Sequence, residues 1–136
     1  MSELIPLNIY KILQSRAYTV VIVGTDEKKF AIYAEPHVGS YMQLQLAKAE
    51  EPRPTTFALI EHLLDGIGGK ILQVVITDVQ ETTYFARLFV QQPQEAVRLI
   101  LEMDARPSDC LILALHHKTP IFCTREVLTK TIAVAE

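Results

Sequence analysis

Short apolar runs that come in groups are the feature that most constrains the fold of this 136-residue chain. The β-branched run Thr-Val-Val-Ile-Val at 19–23 is followed by polar turn residues, and the run at 71–76 precedes another strand-like segment. β-Branched residues favour strands, and successive strands without an intervening helix form antiparallel meanders. The pattern therefore predicts an α+β fold rather than an alternation of strands and helices.

We predict a single domain over residues 1–136, with mostly antiparallel β-meanders in a mixed sheet and about three to four helices. The predicted strands are 4–11, 18–23, 29–35, 70–79, 82–90, 96–103 and 120–123. The predicted helices are 38–47, from Thr55 or Thr56 to 67, from an N-cap at Ser108 through Leu115, and 125–131. Segment 96–103 also accommodates a helix. Residues 91–94 are predicted to be a turn and 104–109 a loop.

Composition excludes several classes of protein. Hydrophobic residues make up 49% of the chain and charged residues 21%, which is typical of a globular protein and not of a disordered one. The mainly apolar runs are far shorter than the roughly 18–20 residues of a membrane span. The first residues lack the basic start and apolar run of a signal peptide. We therefore expect a cytoplasmic protein that does not bind membranes.

Charge and cysteine content limit the partners and cofactors. Thirteen Lys and Arg against sixteen Asp and Glu give a net charge of −3, and no basic run exceeds the pair Lys28-Lys29. Proteins that grip duplex nucleic acid usually show a basic stripe, so at most weak nucleic-acid binding is expected. Cys110 and Cys123 lack zinc-type spacing and are predicted to be buried hydrophobic residues.

Two polar clusters precede predicted helices. One places Arg53 between two prolines, and the other is the sequence Asp-Ala-Arg-Pro-Ser-Asp at 104–109. A helix N-terminus with a neighbouring Arg can bind a phosphate group, and an adjacent Asp can hold a divalent cation. The alternative is purely structural, with Ser108 as an N-cap and an Arg–Asp ion pair that fixes the loop. Asp78, at the end of a predicted strand, has the same two interpretations, and no reaction follows from these residues alone.

Four motifs together resemble those of the bifunctional nuclease domain family. They are Pro-Arg-Pro-Thr-Thr at 52–56, Val-Val-Ile-Thr-Asp at 74–78, Tyr-Phe-Ala-Arg-Leu at 84–88 and Asp-Ala-Arg-Pro-Ser-Asp at 104–109. The resemblance extends from about Thr19 to Leu128. It implies a compact α+β domain that self-associates, as a dimer, and that degrades RNA and DNA without sequence preference. The matching polar positions are Arg53, Asp78, Arg87, Arg106, Ser108 and Asp109.

The resemblance leads to two hypotheses about function. In the first, Arg53 and Arg106 bind the phosphate, Asp109 with Asp78 or Asp104 positions Mg²⁺ or Mn²⁺, and the protein hydrolyses nucleic acid. Ser108 and Arg87 are further candidate substrate contacts. In the second, the chain is a non-catalytic oligomeric binding or scaffold domain. The second is favoured by three departures from the family pattern, because Phe57, Ala58 and Val38 stand where it has His, Asp and an acid.

Overall fold

The computed structural model describes residues 3–93 and 97–134, and these form one sheet with four helices. The strands are β1 (Leu4–Gln14), β2 (Thr19–Gly24), β3 (Lys29–Ala34), β4 (Lys70–Gln80), β5 (Thr83–Pro93), β6 (Arg98–Ala105) and β7 (Ile121–Thr124). The helices are α1 (Pro36–Leu46), α2 (Thr56–Ile67), α3 (Pro107–His117) and α4 (Arg125–Lys130). None of these helices is long and apolar enough to cross a membrane.

Two antiparallel meanders make up the sheet, which confirms the predicted α+β class. The order is β3-β2-β1-β7-β4-β5-β6, so the short strand β7 joins the first meander to the second. β7 is antiparallel to β1 and parallel to β4, which makes the sheet mixed. β3 and β6 are the two edge strands.

The sheet curls strongly. In a flat sheet, β3 and β5 would lie about 24 Å apart, because five strand spacings of roughly 4.8 Å separate them. The rings of Phe30 on β3 and Tyr84 on β5 nevertheless stack with their centroids 5.3 Å apart. The curl therefore brings β3 close to β5 across the inside of the sheet.

Helix α3 fills the concave side. Its side chains Cys110, Leu111 and Ile112 are fully buried, and they belong to the main hydrophobic core. The predicted burial of Leu111 and Ile112 is confirmed, whereas Leu115 is partly buried. Cys123 is buried as well, and both cysteines are free thiols, as predicted.

The starts of α1 and α3 differ from the prediction in the same way. Each helix begins with a proline at its first position, preceded by Glu35 in α1 and by Arg106 in α3 as the N-cap residue. The fixed φ of proline suits the first helical turn, and its missing N–H costs nothing there. Ser108 is therefore inside the helix, and the predicted N-cap role is wrong. The predicted loop at 104–109 is also wrong, because β6 continues to Ala105 and only Arg106 separates it from α3.

The second meander is longer than predicted. β5 continues through Pro93, because Gln91, Gln92 and Pro93 pair with residues of β6, so the predicted turn at 91–93 is wrong. Proline is tolerated at a strand end. Residue 94 of that predicted turn and residue 96 of the predicted third strand lie outside the described residues. The strand itself is confirmed as β6, in preference to a helix.

Helix α2 has the predicted ends. Thr55 is its N-cap and accepts a hydrogen bond from the Ala58 N–H, and Gly68 follows its last residue with a left-handed φ of 73°. Its apolar residues occupy more than one side of the helix. Phe57, Ile60 and Leu64 pack against the core, but an outer row remains exposed.

Candidate functional site

An ion-pair cluster joins the N-terminal ends of α1 and α3. The Arg106 guanidinium donates from Nε to Asp109 Oδ2 at 2.9 Å and from Nη2 to Oδ1 at 3.3 Å. Its Nη1 donates to Glu35 Oε1 at 2.7 Å. Asp109 is within reach because it lies three residues, about one helical turn, from Arg106. Glu35 directly follows β3, and the curl of the sheet brings it close to Arg106. This cluster is called the Arg106 cluster below.

Arg106 and Glu35 stabilise each other's charged form. The hydrogen bond and the positive charge of Arg106 lower the pKa of Glu35 below its ordinary value of 4.5. The two carboxylates in turn raise the pKa of Arg106, so the guanidinium stays charged at every physiological pH. Three of its five N–H groups are used by these bonds, which leaves two for an anionic ligand.

A groove of about 630 Å³ opens beside the cluster on the helix side of the sheet. Arg106 and Asp109 line one part of it, and the apolar part is formed by residues of α1, α2 and β5. These lining residues include Tyr41, Leu44, Phe57, Ile60 and Leu88. The rings of Tyr41 and Phe57 lie 4.8 Å apart at a tilt of 34°. An aromatic surface beside a guanidinium is suited to a ligand with a flat ring and a negative charge.

His37 is a groove residue that was not among the predicted site residues. Its Nδ1 lies 3.6 Å from Glu35 Oε2, and its side chain is exposed and lines the groove. The signal was present in the sequence, because Glu35-Pro36-His37 has the same X-Pro start as Arg106-Pro107-Ser108. An imidazole beside a carboxylate can serve as a general base.

Only some of the predicted site residues meet at this groove. Arg106 and Asp109 do, and Ser108 is buried beside a second cavity of about 470 Å³, which Arg106 also lines. Arg53 is exposed in the segment between α1 and α2, two residues before Thr55, which lines the groove. The roles proposed for these residues stay predictions.

Asp78, Arg87 and Asp104 lie elsewhere on the sheet. Asp78 accepts from Lys130 Nζ at 2.8 Å, and this bond, together with the Val79 N–H, lowers its pKa. Arg87 lies between the buried residues Ala86 and Leu88 of β5, so its side chain projects from the face of the sheet opposite the core. Its partner in β6 is Asp104. Arg87 Nε is 3.9 Å from Glu102 Oε2.

The side chains at the groove do not fit a metal ion held by the protein alone. Within residues 3–93 and 97–134, no group of three or more His, Cys, Asp or Glu side chains is arranged to hold one. Glu35 and Asp109 are both bonded to Arg106, so a cation there would have to displace a guanidinium. The two N–H groups of Arg106 that remain can donate to an anion, although Glu35 and Asp109 give the cluster a net charge of −1.

Comparison with known proteins relates this chain to one protein family. The family model of the bifunctional nuclease domain matches residues 14–136. An uncharacterised protein of Mycobacterium tuberculosis is 33% identical over 87 residues, which cover 64% of this chain and 49% of that protein. Bifunctional nuclease 1 of Arabidopsis thaliana is 32% identical over 69 residues, or 51% of this chain and 21% of the plant protein. The chain thus matches about half the length of the mycobacterial relative and less of the plant one.

Proposed function

The chain belongs to the bifunctional nuclease domain family, and on this premise we propose that it binds and weakly hydrolyses the phosphodiester bonds of RNA and DNA at the Arg106 groove. The observation that carries the proposal is the position of Arg106, which is held by two carboxylates at the edge of an aromatic groove. The plant relative is named a bifunctional nuclease. We further propose a cytoplasmic location and self-association.

In the proposed reaction, the two remaining N–H groups of Arg106 hold a phosphate oxygen and stabilise the charge that develops on it. A base of the nucleic acid stacks on Tyr41 and Phe57, which recognises any base because each has a flat face. His37 takes the proton of the attacking water as its oxygen bonds to phosphorus, and the bond to the leaving oxygen breaks. The leaving oxygen receives a proton from solvent. Cleavage without sequence preference follows from these contacts.

Weak turnover is part of the proposal. Phe57 and Ala58 provide no titratable group where the family pattern has His and Asp. Glu35 is a poor proton acceptor, because Arg106 lowers its pKa. A divalent cation that arrives with the substrate is a further proposed component, and the roles proposed for Arg106 and His37 do not depend on it.

A second candidate function is non-catalytic binding. It is favoured by the Arg106 cluster itself, because the positive charge is already shared between two carboxylates before any ligand arrives. In that case the groove binds nucleic acid or another anionic partner without cleaving it, and the cluster serves mainly to tie α1 to α3.

Hydrolysis of single-stranded RNA and DNA by highly purified protein tests the proposal. The variants are His37→Gln and the double variant Arg106→Ala, Asp109→Ala, assayed with Mg²⁺, with Mn²⁺ and with EDTA. Arg125→Ala is the matched control, because Arg125 is equally exposed and is paired to Glu3. We expect cleavage to fall about a hundredfold in the first two variants and to be unchanged in the control.

The other outcomes separate the alternatives. Equal cleavage by all four proteins would place the activity at another site or in a contaminant. Binding without cleavage by the unmodified chain would establish the second candidate function. Cleavage in the Mg²⁺ or Mn²⁺ arm alone would show that the reaction depends on a divalent cation.

A further inference from the structure

The edge strand β6 carries an unusual amount of exposed apolar surface. Leu99, Leu101 and Met103 point to the helix side of the sheet, and each is 40% exposed. Ile100, on the other face, is 50% exposed. Of the described strands, only β5 pairs with β6, so one side of β6 presents unpaired backbone N–H and C=O groups. A long apolar edge of this kind tends to pair with another strand.

Helix α2 extends this apolar surface. Its outer row consists of Leu59, Leu63 and Ile67, which are 56%, 61% and 63% exposed. The same helix contacts His117 of α3 through the buried carboxylate of Glu61. At 3.6 residues per turn, the outer row lies more than about 100° around the helix from Glu61, so it faces away from α3.

The outer row and β6 lie on the same flank of the molecule. α3 packs over β4 and β5, and Phe57 and Ile60 of α2 line the groove together with Leu88 of β5 and Ala105 of β6. Leu88 is in turn the β5 partner of Met103. Six side chains therefore form the apolar flank, namely Leu59, Leu63, Ile67, Leu99, Leu101 and Met103.

The charges of β6 are complementary to those of a second copy of the same strand. Strand β6 carries Arg98 near its start and Glu102 and Asp104 near its end. In an antiparallel pair of two β6 strands with Leu101 opposite Leu101, Arg98 of each copy lies opposite Asp104 of the other. Leu99 then lies opposite Met103, and no two like charges face each other. Opposite charges and apolar pairs across strands stabilise such a ladder.

The intramolecular partners of β6 strengthen this register. Asp104 already lies opposite Arg87 of β5, so the second copy's Arg98 would complete an Arg–Asp–Arg row across three strands. We propose that two copies of this chain pair through β6 in this register. The outer rows of the two α2 helices then cover the β6–β6 interface on the helix side of the sheet. The inference specifies the surface of the self-association proposed above, and it does not depend on catalysis.

Sedimentation velocity at micromolar concentration tests the surface. We expect the unmodified chain to sediment as a dimer and Leu101→Lys to sediment as a monomer, because that change places two ammonium groups against each other at the two-fold axis. Leu13→Lys is the matched control, because Leu13 is similarly exposed on β1, and it should remain a dimer. A monomeric unmodified chain would overturn self-association and surface together. A dimeric Leu101→Lys would overturn this surface alone.

Cysteine cross-linking tests the register without weakening the fold. Under mild oxidation, Leu101→Cys should give a covalent dimer, because each new thiol lies opposite its copy across the axis. Ile100→Cys lies opposite Glu102 in this register and should give none. The native thiols are buried and contribute little background. Preferential cross-linking of Ile100→Cys would overturn the register, and the absence of cross-linking in both variants would overturn the strand pairing.

Discussion

Arg106 and Glu35 join the two ends of the sheet. Glu35 directly follows the edge strand β3 and Arg106 directly follows the edge strand β6, yet Arg106 Nη1 lies 2.7 Å from Glu35 Oε1. Each residue is also the N-cap of the helix that comes next, α1 or α3. One hydrogen-bonded ion pair thus links both edge strands and both helix starts, and its Arg106 also lines the proposed nucleic-acid groove.

The first prediction concerns the acid sensitivity of this link. The pKa of Glu35 in the folded protein is lowered, so its contribution to stability is present above its ordinary value of 4.5 and is lost as pH falls through the folded value. At pH 7 we expect Glu35→Gln to melt at a lower temperature than the unmodified chain. The difference should shrink as pH is lowered below about 4.5.

Thermal unfolding followed by circular dichroism from pH 7 to pH 3 measures this difference. Glu50→Gln, a change in the exposed segment between α1 and α2, is the control and should track the unmodified chain. A melting difference for Glu35→Gln that is independent of pH over this range would contradict the assigned role of the carboxylate.

Much of the fold could be predicted from the sequence because its signals are local. The two meanders, the N-cap at Thr55 and the helix end at Gly68 all follow from residues within a few positions of each other. The start of α3 was misplaced because capping by Ser108 was expected, and α1 was predicted to begin at its first apolar residue, Val38. Proline at the first helical position determines both starts instead.

The candidate site could be predicted only in part, because half of it depends on the curl of the sheet. Arg106 and Asp109 are three residues apart, and their pairing was among the predicted alternatives. Glu35 is 71 positions from Arg106, and no local pattern indicates that β3 closes on β6. His37 was missed although the X-Pro start before it is visible in the sequence, because only the curl of the sheet brings it to the same groove as Arg106. The exposed row of α2 was not anticipated because its apolar spacing resembles that of a core-facing helix.

A second prediction concerns the two thiols. Burial raises the pKa of Cys110 to about 12, helped by the nearby charges of Asp109 and Asp104, and raises the pKa of Cys123 to about 11. At pH 8, roughly one Cys110 side chain in ten thousand is then a thiolate, the reactive form. We expect negligible reaction with Ellman's reagent in the native protein and two thiols per chain in guanidinium. Rapid reaction of either thiol before unfolding would contradict the buried position of that cysteine.

A third prediction compares two glycines on different helices. A Cβ added at Gly39 of α1 would lie 2.6 Å from Thr19 Oγ1, which accepts from the Gly39 N–H and donates to the Glu35 carbonyl. Gly39→Ala should therefore lower the free energy of unfolding by about 1–3 kcal/mol through overpacking. Gly66 of α2 has open space around it, so Gly66→Ala should raise that free energy by about 0.5–1 kcal/mol.

Urea denaturation of the two alanine variants checks both signs in one experiment. Both variants replace glycine by alanine in a helix. If the change in the free energy of unfolding has opposite signs in the two variants, the cause is the surroundings of each glycine and not the helix propensity of alanine. Equal changes in the free energy of unfolding of the two variants would contradict the close approach of Thr19 to α1.

The last prediction concerns the aromatic side of the groove. Phe57→Leu keeps an apolar side chain of similar size but removes the ring that faces Tyr41. If a base stacks there, the affinity for single-stranded DNA should fall roughly 5- to 150-fold, which corresponds to about 1–3 kcal/mol per stacked base. Phe57→Tyr retains the ring and should bind like the unmodified chain. Phe85→Leu, on the other face of β5, controls for general effects of losing a ring.

Fluorescence anisotropy of a labelled oligothymidine at low salt measures these affinities. Net charge is −3, so attraction by the whole protein contributes little, and the measured loss reports the groove. Equal weakening in the Phe57 and Phe85 leucine variants would remove the aromatic pair from the proposed contact. A selective loss in Phe57→Leu together with retained binding in Phe57→Tyr would place a base on this surface, because the two variants differ in the ring that a base can stack against.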